Sequence, residues 1–169
     1  MTQVMITALT PDATDKVLDL YRAVAAAGGG LARAVDEIDA PYVRAFLDRA
    51  QPDGVSRAIW LPDGTLAAEL HAHRMVPRQF AHVLTDLTVA VHPDWQGKGL
   101  GAMLFQAAID AARTMAPPVT RLELMVREGN AGAIALYKRL GFVIEGRFAG
   151  RVRLPDGTIE DDLAIALIL

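Results

Sequence analysis

The stretch Gln96-Gly97-Lys98-Gly99-Leu100-Gly101 joins a strand-like segment to a helix-like segment. The apolar run 83–91 comes before it, and a helical pattern of apolar residues starts near Leu100. Its three glycines stand at alternate positions, so the turn carries few side chains and its backbone can approach a ligand closely. The following helix presents unpaired N–H groups and a partial positive charge. The stretch therefore predicts a pyrophosphate site, to which Lys98 adds a full positive charge.

Periodicity and turn residues on either side of this stretch predict the order β-α-α-β-β-β-α-β-α-β-β. The strands are predicted at about 4–9, 55–61, 65–75, 82–92, 122–126, 143–154 and 158–169. The helices are predicted at about 11–27, 40–50, 98–115 and 131–140. Because hairpins and crossover helices are mixed, we expect an α/β fold with a mixed sheet, in a single domain that spans residues 1–169.

Composition excludes several classes of function. The 169 residues carry a formal net charge of −3, which argues against nucleic acid or an anionic membrane as the main partner. There are no cysteines, so disulfides, thiolate metal ligands and a cysteine nucleophile are excluded. His71 and His73 lack a third ligand, so we expect no metal site. No apolar stretch approaches about 18 residues and no secretory leader is visible, so we expect a cytoplasmic protein.

The glycine stretch also satisfies a dinucleotide-binding pattern. Gly97, Gly99 and Ala102 fit G-x-G-x-x-[G/A], and Glu123 follows about twenty positions later. This interpretation would make the protein an NAD-dependent oxidoreductase. Against it, residues 92–96 separate the glycines from the preceding strand, and too little chain follows Glu123 to complete a doubly wound domain. We keep it as an alternative that the sheet topology can decide.

Two segments resemble the signatures of a known family. Residues 96–101 resemble the [Q/R]-x-x-G-x-[G/A] motif of the GNAT acetyltransferase superfamily, and 87–93 is similar to the strand before it. Residues 130–142 resemble the second signature, an asparagine-capped helix that ends in tyrosine and is followed by Gly-Phe. The predicted element order matches the family fold over nearly the whole chain. The resemblance implies a GNAT-like domain with a splayed central sheet, and the apolar run 163–169 would permit the homodimer that many relatives form.

The resemblance further implies an N-acetyltransferase that uses acetyl-coenzyme A (acetyl-CoA) as cosubstrate and no metal. Carried over by position, the backbone amides of the glycine stretch hold the pyrophosphate. Backbone groups of Val89 and Val91 pair with the pantetheine arm as a further strand would. Asn130 caps its helix and reaches the cofactor, although capping alone would also explain it. The implied cofactor-binding residues are Val89, Val91, Gln96, Gly97, Lys98, Gly99, Leu100, Gly101 and Asn130.

Tyr137 is the implied general acid. A phenol of pKa about 10 can give a hydrogen bond or a proton to a departing thiolate, whose thiol has a pKa of about 8.5. Without the resemblance, a half-buried tyrosine packed on the sheet would explain this residue. The general base stays open, with Glu69 or Asp86 as candidates. Glu69, His71 and His73 share one face of a strand by their period of two, Asp86 lies on the next strand, and each can take a proton through water.

The expected acceptor is the primary amine of a small molecule or an amino acid. The tail 153–163 resembles the closing hairpin of relatives that acetylate such amines, and Asp36, Glu37 and Asp39 favour a cationic one. In relatives that acetylate the N-termini of ribosomal proteins, a glutamate stands where this chain has Met125, which weakens that subclass. Acetylation of protein N-termini or lysines stays open, as does a non-catalytic acetyl-CoA-binding module, because no base is evident.

Overall fold

The structure, a computed structural model, describes residues 4–28 and 30–169; Met1–Gln3 and Gly29 of the predicted domain lie outside the described residues. The strands are β1 (Met5–Thr7), β2 (Val55–Trp60), β3 (Leu66–Arg74), β4 (Val83–Val91), β5 (Arg121–Arg127), β6 (Val143–Arg153) and β7 (Ile159–Ile168). The helices are α1 (Thr14–Ala26), α2 (Ala40–Arg49), α3 (Leu100–Arg113) and α4 (Ala131–Arg139). Within these described ranges, no helix has the length and apolar character that crossing a bilayer requires.

The predicted order of elements is confirmed, and the bounds differ by a few residues at most. The largest difference is at α1, which starts at Thr14 because Pro11–Ala13 form a separate 3-10 turn. Helix α4 ends at Arg139, one residue before the predicted end, and a glycine turn follows it. Gly141 takes φ +92°, and the Phe142 N–H donates to the Tyr137 carbonyl at 3.0 Å. A left-handed glycine of this kind closes a helix without strain.

The strands form one sheet in the order β1-β2-β3-β4-β5-β7-β6, with a single parallel pair among the described strands, β4 and β5. That pair is registered only at Val83–Arg121 and Leu84–Leu122. Beyond Leu84 the two strands separate, while β5 continues along β7. This is the splayed, mixed sheet that was predicted. A doubly wound dinucleotide domain needs a mostly parallel sheet, so the interpretation as an NAD-dependent oxidoreductase is wrong.

The sheet separates two apolar layers. On one face, α1 and α2 pack on β3 and β4 around a core that includes Tyr21 and Phe46. On the opposite face, α3 packs on β2, β3 and β4, and Phe105 and Tyr137 belong to that core. Both faces of β3 are therefore covered, and its residues 66–72 are all buried. Any polar side chain on this part of β3 must find its partners inside the protein.

The run 163–169 belongs mainly to the core. Leu163 and Ile165 of β7 are 4% and 3% exposed, because β7 lies between β5 and β6. The edge of the sheet is β6, where Val143 and Phe148 are about half exposed. Burial within the chain thus explains the apolar character of β7.

Candidate active site

The glycine stretch forms the turn between β4 and α3. Gly97 and Gly99 take φ values of +71° and +83°, in the left-handed region that strains other residues. A Cβ at either glycine would meet no atom within 4 Å, so backbone conformation and not space requires glycine there. At Gly101, by contrast, a Cβ would stand 3.2 Å from Leu136 of α4. Glycine at this position lets the first turn of α3 lie against α4.

The turn presents a continuous row of unpaired amides. The N–H groups of residues 97–102 have no hydrogen-bond acceptor in the described part of the chain, and the first bond back is from Met103 N–H to the Gly99 carbonyl. A helix leaves about four such groups unpaired at its start, and the turn adds those of Gly97 and Lys98. The Lys98 ammonium lies 4.2 Å from the centre of the Trp95 ring. Donors and positive charge are therefore concentrated at one exposed turn.

The free edge of β4 continues from this turn. The His92 N–H donates to the Ala67 carbonyl of β3 at 2.9 Å. Because successive residues of a strand direct their backbone groups to opposite sides, Val91 and Val89 direct theirs away from β3, toward the split between β4 and β5. The Gln96 side chain donates to the Val91 carbonyl at 3.1 Å and so ties the turn to the end of β4.

The start of α4 lies beside the connection between α1 and α2. Asn130 Oδ1 accepts from the Ala133 N–H at 3.2 Å, which confirms the predicted cap. Its amide nitrogen lies 3.2 Å from the position that a Cβ of Gly30 would take. The Asn130 side chain is therefore placed between two segments as well as on its own helix.

Tyr137 is nearly enclosed, yet its hydroxyl is free. The side chain is 6% exposed and packs edge-on against Phe105, with ring centres 5.2 Å apart. Within the described residues, Arg74 Nε is the one fully enclosed side-chain nitrogen or oxygen without a partner. The Tyr137 hydroxyl has no partner there either, so it reaches the protein surface. Burial raises the pKa of Tyr137 to about 12, and the phenol is therefore protonated at neutral pH.

A pocket of about 150 Å³ lies where β4 and β5 separate. Thr85 Oγ1 donates to Glu123 Oε1 at 3.0 Å across the split. Arg121 donates to the other oxygen of Glu123 at 2.9 Å and to both oxygens of Glu145. The apolar part of the wall comes from Met125 and Phe148 among others. Sequence reasoning missed this pocket because Glu145 comes from β6, two strands away; the only local signal was the alternation of charged and apolar residues along β5.

Comparison with known proteins agrees with this geometry. The model of the acetyltransferase (GNAT) family matches residues 32–142. The chain belongs to the acetyltransferase (GNAT) family. Among solved structures, an acetyltransferase of this family from Streptococcus pneumoniae superposes with a TM-score of 0.88 at 21% identity, over 99% of this chain and 100% of that chain. A protein from Salmonella typhimurium, solved with its cofactor acetyl-CoA, superposes with a TM-score of 0.84 at 19% identity. The superposition covers 99% of this chain and 95% of that chain. At sequence identities this low, these similarities support the fold alone.

Curated relatives of this GNAT protein match over a shorter stretch. It is 50% identical over 58 residues to the [ribosomal protein bS18]-alanine N-acetyltransferase of Salmonella typhimurium, a match that covers 34% of this chain and 38% of that protein. It is 43% identical over 60 residues to the L-methionine sulfoximine/L-methionine sulfone acetyltransferase of Pseudomonas aeruginosa, covering 36% and 34%. The matched segment thus spans little more than a third of either relative.

The candidate bases of the GNAT protein fall into two environments. Glu69 and His71 are buried, and the two side chains are bonded to each other. His73 Nε2 lies 3.6 Å from Asp86 Oδ2, and the Asp86 side chain is 66% exposed. Burial lowers the pKa of His73, while the Asp86 charge acts in the opposite direction. Within the described residues, no three of the potential metal-ligating side chains are grouped to hold a metal ion.

A bulge in β4, which the sequence did not reveal, places Asp86 at the split. His71 stands opposite Thr88 and His73 opposite Thr85, so two residues of β4 face one residue of β3. Asp86 takes φ +51°, a left-handed value that is rare for a residue other than glycine. Bulges are frequent beside active sites because they redirect a strand and its side chains.

The acidic connection between α1 and α2 has a local structural role. The Glu37 carboxylate accepts from the Ala34 N–H, and the Asp39 carboxylate accepts from the Tyr42 N–H, each at 2.8 Å. Glu37 reaches back to the start of its own 3-10 turn, Val35–Glu37, and Asp39 caps α2, which follows it. All three acidic residues are exposed, and the expectation that they favour a cationic amine stays a prediction.

Proposed function

We propose that this protein is an N-acetyltransferase that moves the acetyl group of acetyl-CoA to the primary amine of a small molecule or an amino acid. The observation that carries the proposal is that two backbone surfaces meet. One is the row of unpaired amides of 97–102, and the other is the edge of β4 at Val89 and Val91, which has no partner strand in the described residues. The first suits a diphosphate and the second suits a chain of amide groups. Acetyl-CoA carries both groups in series. Membership of the GNAT family supports the proposal.

Each predicted binding residue has a distinct role in this proposal. The amides from Gly97 to Gly101 bind the diphosphate, helped by the Lys98 ammonium and the partial charge of the α3 N-terminus. The Val89 backbone bonds to the pantetheine arm as a neighbouring strand would. Gln96 acts indirectly, since its side chain holds the turn against Val91. Asn130 uses its oxygen for the α4 cap and keeps its amide nitrogen as a donor.

Tyr137 serves as a hydrogen-bond donor to the departing sulfur. With a pKa of about 12 the phenol is always present in its donating form at neutral pH. Full transfer of its proton to a thiolate, whose thiol has a pKa of about 8.5, would be uphill by roughly 5 kcal/mol. A hydrogen bond that strengthens as negative charge develops on sulfur avoids that penalty and still lowers the barrier.

The residues of the chain favour direct attack by the amine. There is no cysteine, and Ser56, the only serine, is 3% exposed and bonded to both backbone groups of Leu9. A covalent acyl-enzyme on either residue type is therefore not supported. The protein contributes by holding the two reactants together and in line, which can account for a large part of the rate.

The pocket at the split supports a small acceptor. The two carboxylates of Glu123 and Glu145 exceed the single charge of Arg121, and Met125 and Phe148 provide apolar contact. This composition suits an amine with an apolar body. The similarity to the sulfoximine acetyltransferase of Pseudomonas aeruginosa is consistent with an amino-acid-like acceptor. A protein N-terminus is the second candidate, favoured by the 50% identity over 58 residues to the bS18-alanine enzyme.

An amine panel read by release of free thiol from acetyl-CoA tests the proposal. The panel contains amino acids, L-methionine sulfoximine and sulfone, short diamines, a peptide with N-terminal alanine, and a lysine peptide with a blocked N-terminus. We expect steady release with at least one small amine, with kcat/KM at least tenfold above that for either peptide. Turnover of the peptides alone would instead support a protein acceptor. Binding of acetyl-CoA without turnover of any amine would favour the non-catalytic module.

A further inference from the structure

A buried side-chain network under α1 and α2 has no role in the mechanism above. Glu69 is fully buried on β3. Its Oε2 accepts a hydrogen bond from the Tyr21 hydroxyl of α1 at 2.8 Å, and its Oε1 lies 3.1 Å from His71 Nδ1. Both oxygens are thus engaged inside the protein. Glu69 itself therefore has no contact with solvent through which to take a proton from an acceptor amine.

The network fixes which nitrogen of the histidine ring faces the carboxylate. A carboxylate only accepts hydrogen bonds, so Nδ1 of His71 donates to Glu69. Nε2 is then the nitrogen that can accept a proton. Tyr21 stays a donor, because burial and then the Glu69 charge raise its pKa well above the ordinary value. The His71 ring is stacked on Phe46, with centres 4.0 Å apart and planes 6° apart. Glu69, Tyr21 and the aromatic face of Phe46 therefore hold the His71 ring in a single orientation.

Nε2 of His71 is the free end of this network. It has no hydrogen-bond partner in the described residues. Arg74 Nε is the one unpaired side-chain nitrogen or oxygen there that is fully enclosed, so Nε2 of His71 must have some access to solvent. The side chain is 7% exposed, so the ring reaches the surface at one point. A buried carboxylate that holds an imidazole with the opposite nitrogen exposed is the arrangement by which proteins position a proton acceptor.

His71 lies on the same face of the sheet as Thr85, which lines the split pocket. His71 stands opposite Thr88 of β4, and the other edge of β4 borders the split. Directly opposed residues share a face, so Thr85, which bonds Glu123 in the pocket, lies on the same face as His71 and His73. Strand β4 lies between His71 and the split, so water has to connect Nε2 with an amine there.

We infer that His71, held by Glu69 and Tyr21, is the proton acceptor of the acetyl transfer, reached from the amine through water. This inference rests on the proposed function. One proton of the ammonium group passes through water to Nε2, which leaves a neutral amine and an imidazolium paired with Glu69. The amine nitrogen then bonds to the thioester carbonyl carbon as the C–S bond breaks. The second proton leaves the nitrogen as the amide forms and protonates the thiolate, and the imidazolium returns its proton to solvent.

His71→Asn tests the inference, because asparagine keeps a donor toward Glu69 and removes the proton acceptor. The groups around His71 are Glu69 on β3, Tyr21 on α1, Ser56 on β2 and Thr88 on β4. The neighbouring His73 is in turn influenced by Arg49 at the end of α2 and by Asp86 on β4. With the acceptor that the unmodified protein uses, we expect kcat/KM to fall about 100-fold at pH 7. The loss should shrink toward none as the pH approaches the pKa of the amine, because the amine then loses its proton unaided.

His73→Asn is the matched control, since it replaces the neighbouring histidine on the same face. The kcat/KM of this variant should stay close to that of the unmodified protein at every pH. Glu69→Gln should lower kcat/KM at pH 7, and combining it with His71→Asn should add no further loss, because Glu69 acts through His71. His71→Gln serves as a second variant if the asparagine form does not fold, as judged by thermal melting and acetyl-CoA binding.

The outcomes separate this inference from the proposed function. A loss in His71→Asn that is equal at all pH values, or an equal loss in His73→Asn, overturns the assignment of His71 while the transferase activity stands. Additive losses for Glu69→Gln and His71→Asn overturn the role of Glu69. Absence of thiol release by the unmodified protein, with every amine of the panel, would instead contradict the proposed function itself.

Discussion

Tyr137 shows how much a single residue depends on its surroundings. The sequence places it on a helix that begins beside the glycine stretch, and the resemblance to the GNAT family implies an acid there. Only the packing shows that the ring is enclosed by Phe105 and Phe142 while the hydroxyl stays free. Because burial disfavours the phenolate, the pKa rises to about 12. In the proposed function, this raised pKa favours hydrogen-bond donation by Tyr137 over transfer of its proton.

Tyr137→Phe should lower kcat by about 100-fold and leave the affinity for acetyl-CoA unchanged, because the hydroxyl acts only on charge that develops at sulfur. Fold stability should change little, since the hydroxyl has no protein partner in the described residues. Steady-state kinetics and calorimetric binding check both points. Because the pKa of Tyr137 is about 12, the phenol keeps its proton throughout the range from pH 6 to pH 10. The ratio of kcat for the unmodified protein to kcat for the variant should therefore be constant over this range. A ratio that changes within this window contradicts the assignment.

At the scale of elements, Asn130 at the start of α4 is both a helix cap and a candidate acetyl-CoA-binding residue. The sequence predicts the cap from Asn130, and the bond to the Ala133 N–H confirms it. The sequence does not show that the Asn130 amide nitrogen lies near Gly30 of the α1–α2 connection, because the two residues are about a hundred positions apart. Whether the side chain also serves acetyl-CoA is a separate question that substitution can answer.

Asn130→Ala should destabilise the protein by about 1 kcal/mol through loss of the cap. Asn130→Ser keeps a capping oxygen and should restore most of that stability, while it removes the amide nitrogen. If Asn130 only caps α4, the serine variant should also recover acetyl-CoA affinity. If the amide binds acetyl-CoA, affinity should stay several-fold weaker in both variants. Thermal melting and calorimetric titration together distinguish the two roles.

The strands show where sequence periodicity stops being informative. Alternation along β3 correctly places Glu69, His71 and His73 on one face. It does not show that α1 and α2 cover this face, because that depends on helices more than twenty residues away in the chain. Nor does it show the bulge at Asp86, since nothing in the residue types requires a left-handed backbone there. The structure shows that Glu69 is buried and bonded to His71, and the identity of the general base stays a prediction.

For the whole molecule, the proposal predicts a selective stabilisation by ligand. A ligand that binds only the folded protein, at about 100 times its Kd, stabilises it by about 2.7 kcal/mol. For a protein of this size each kcal/mol raises the melting temperature by roughly 2–4 °C. Acetyl-CoA and coenzyme A should therefore raise it clearly, whereas NAD at the same concentration should not. Equal shifts with NAD would contradict a site built for the pantetheine arm.

The sequence alone determined the order of the strands and helices, the glycine turn and the Asn130 cap. These features depend on neighbouring residues: helical spacing, glycine conformations and short-range hydrogen bonds are all encoded within a few positions. The tertiary structure decided which groups meet at the split and in the buried network under α1 and α2. Glu145 reaches Arg121 across β7, Tyr21 reaches Glu69 from α1, and β4 leaves β5 after Leu84. Such contacts depend on how the sheet twists and which helix covers which face, which is set by packing of the whole chain rather than by any local pattern.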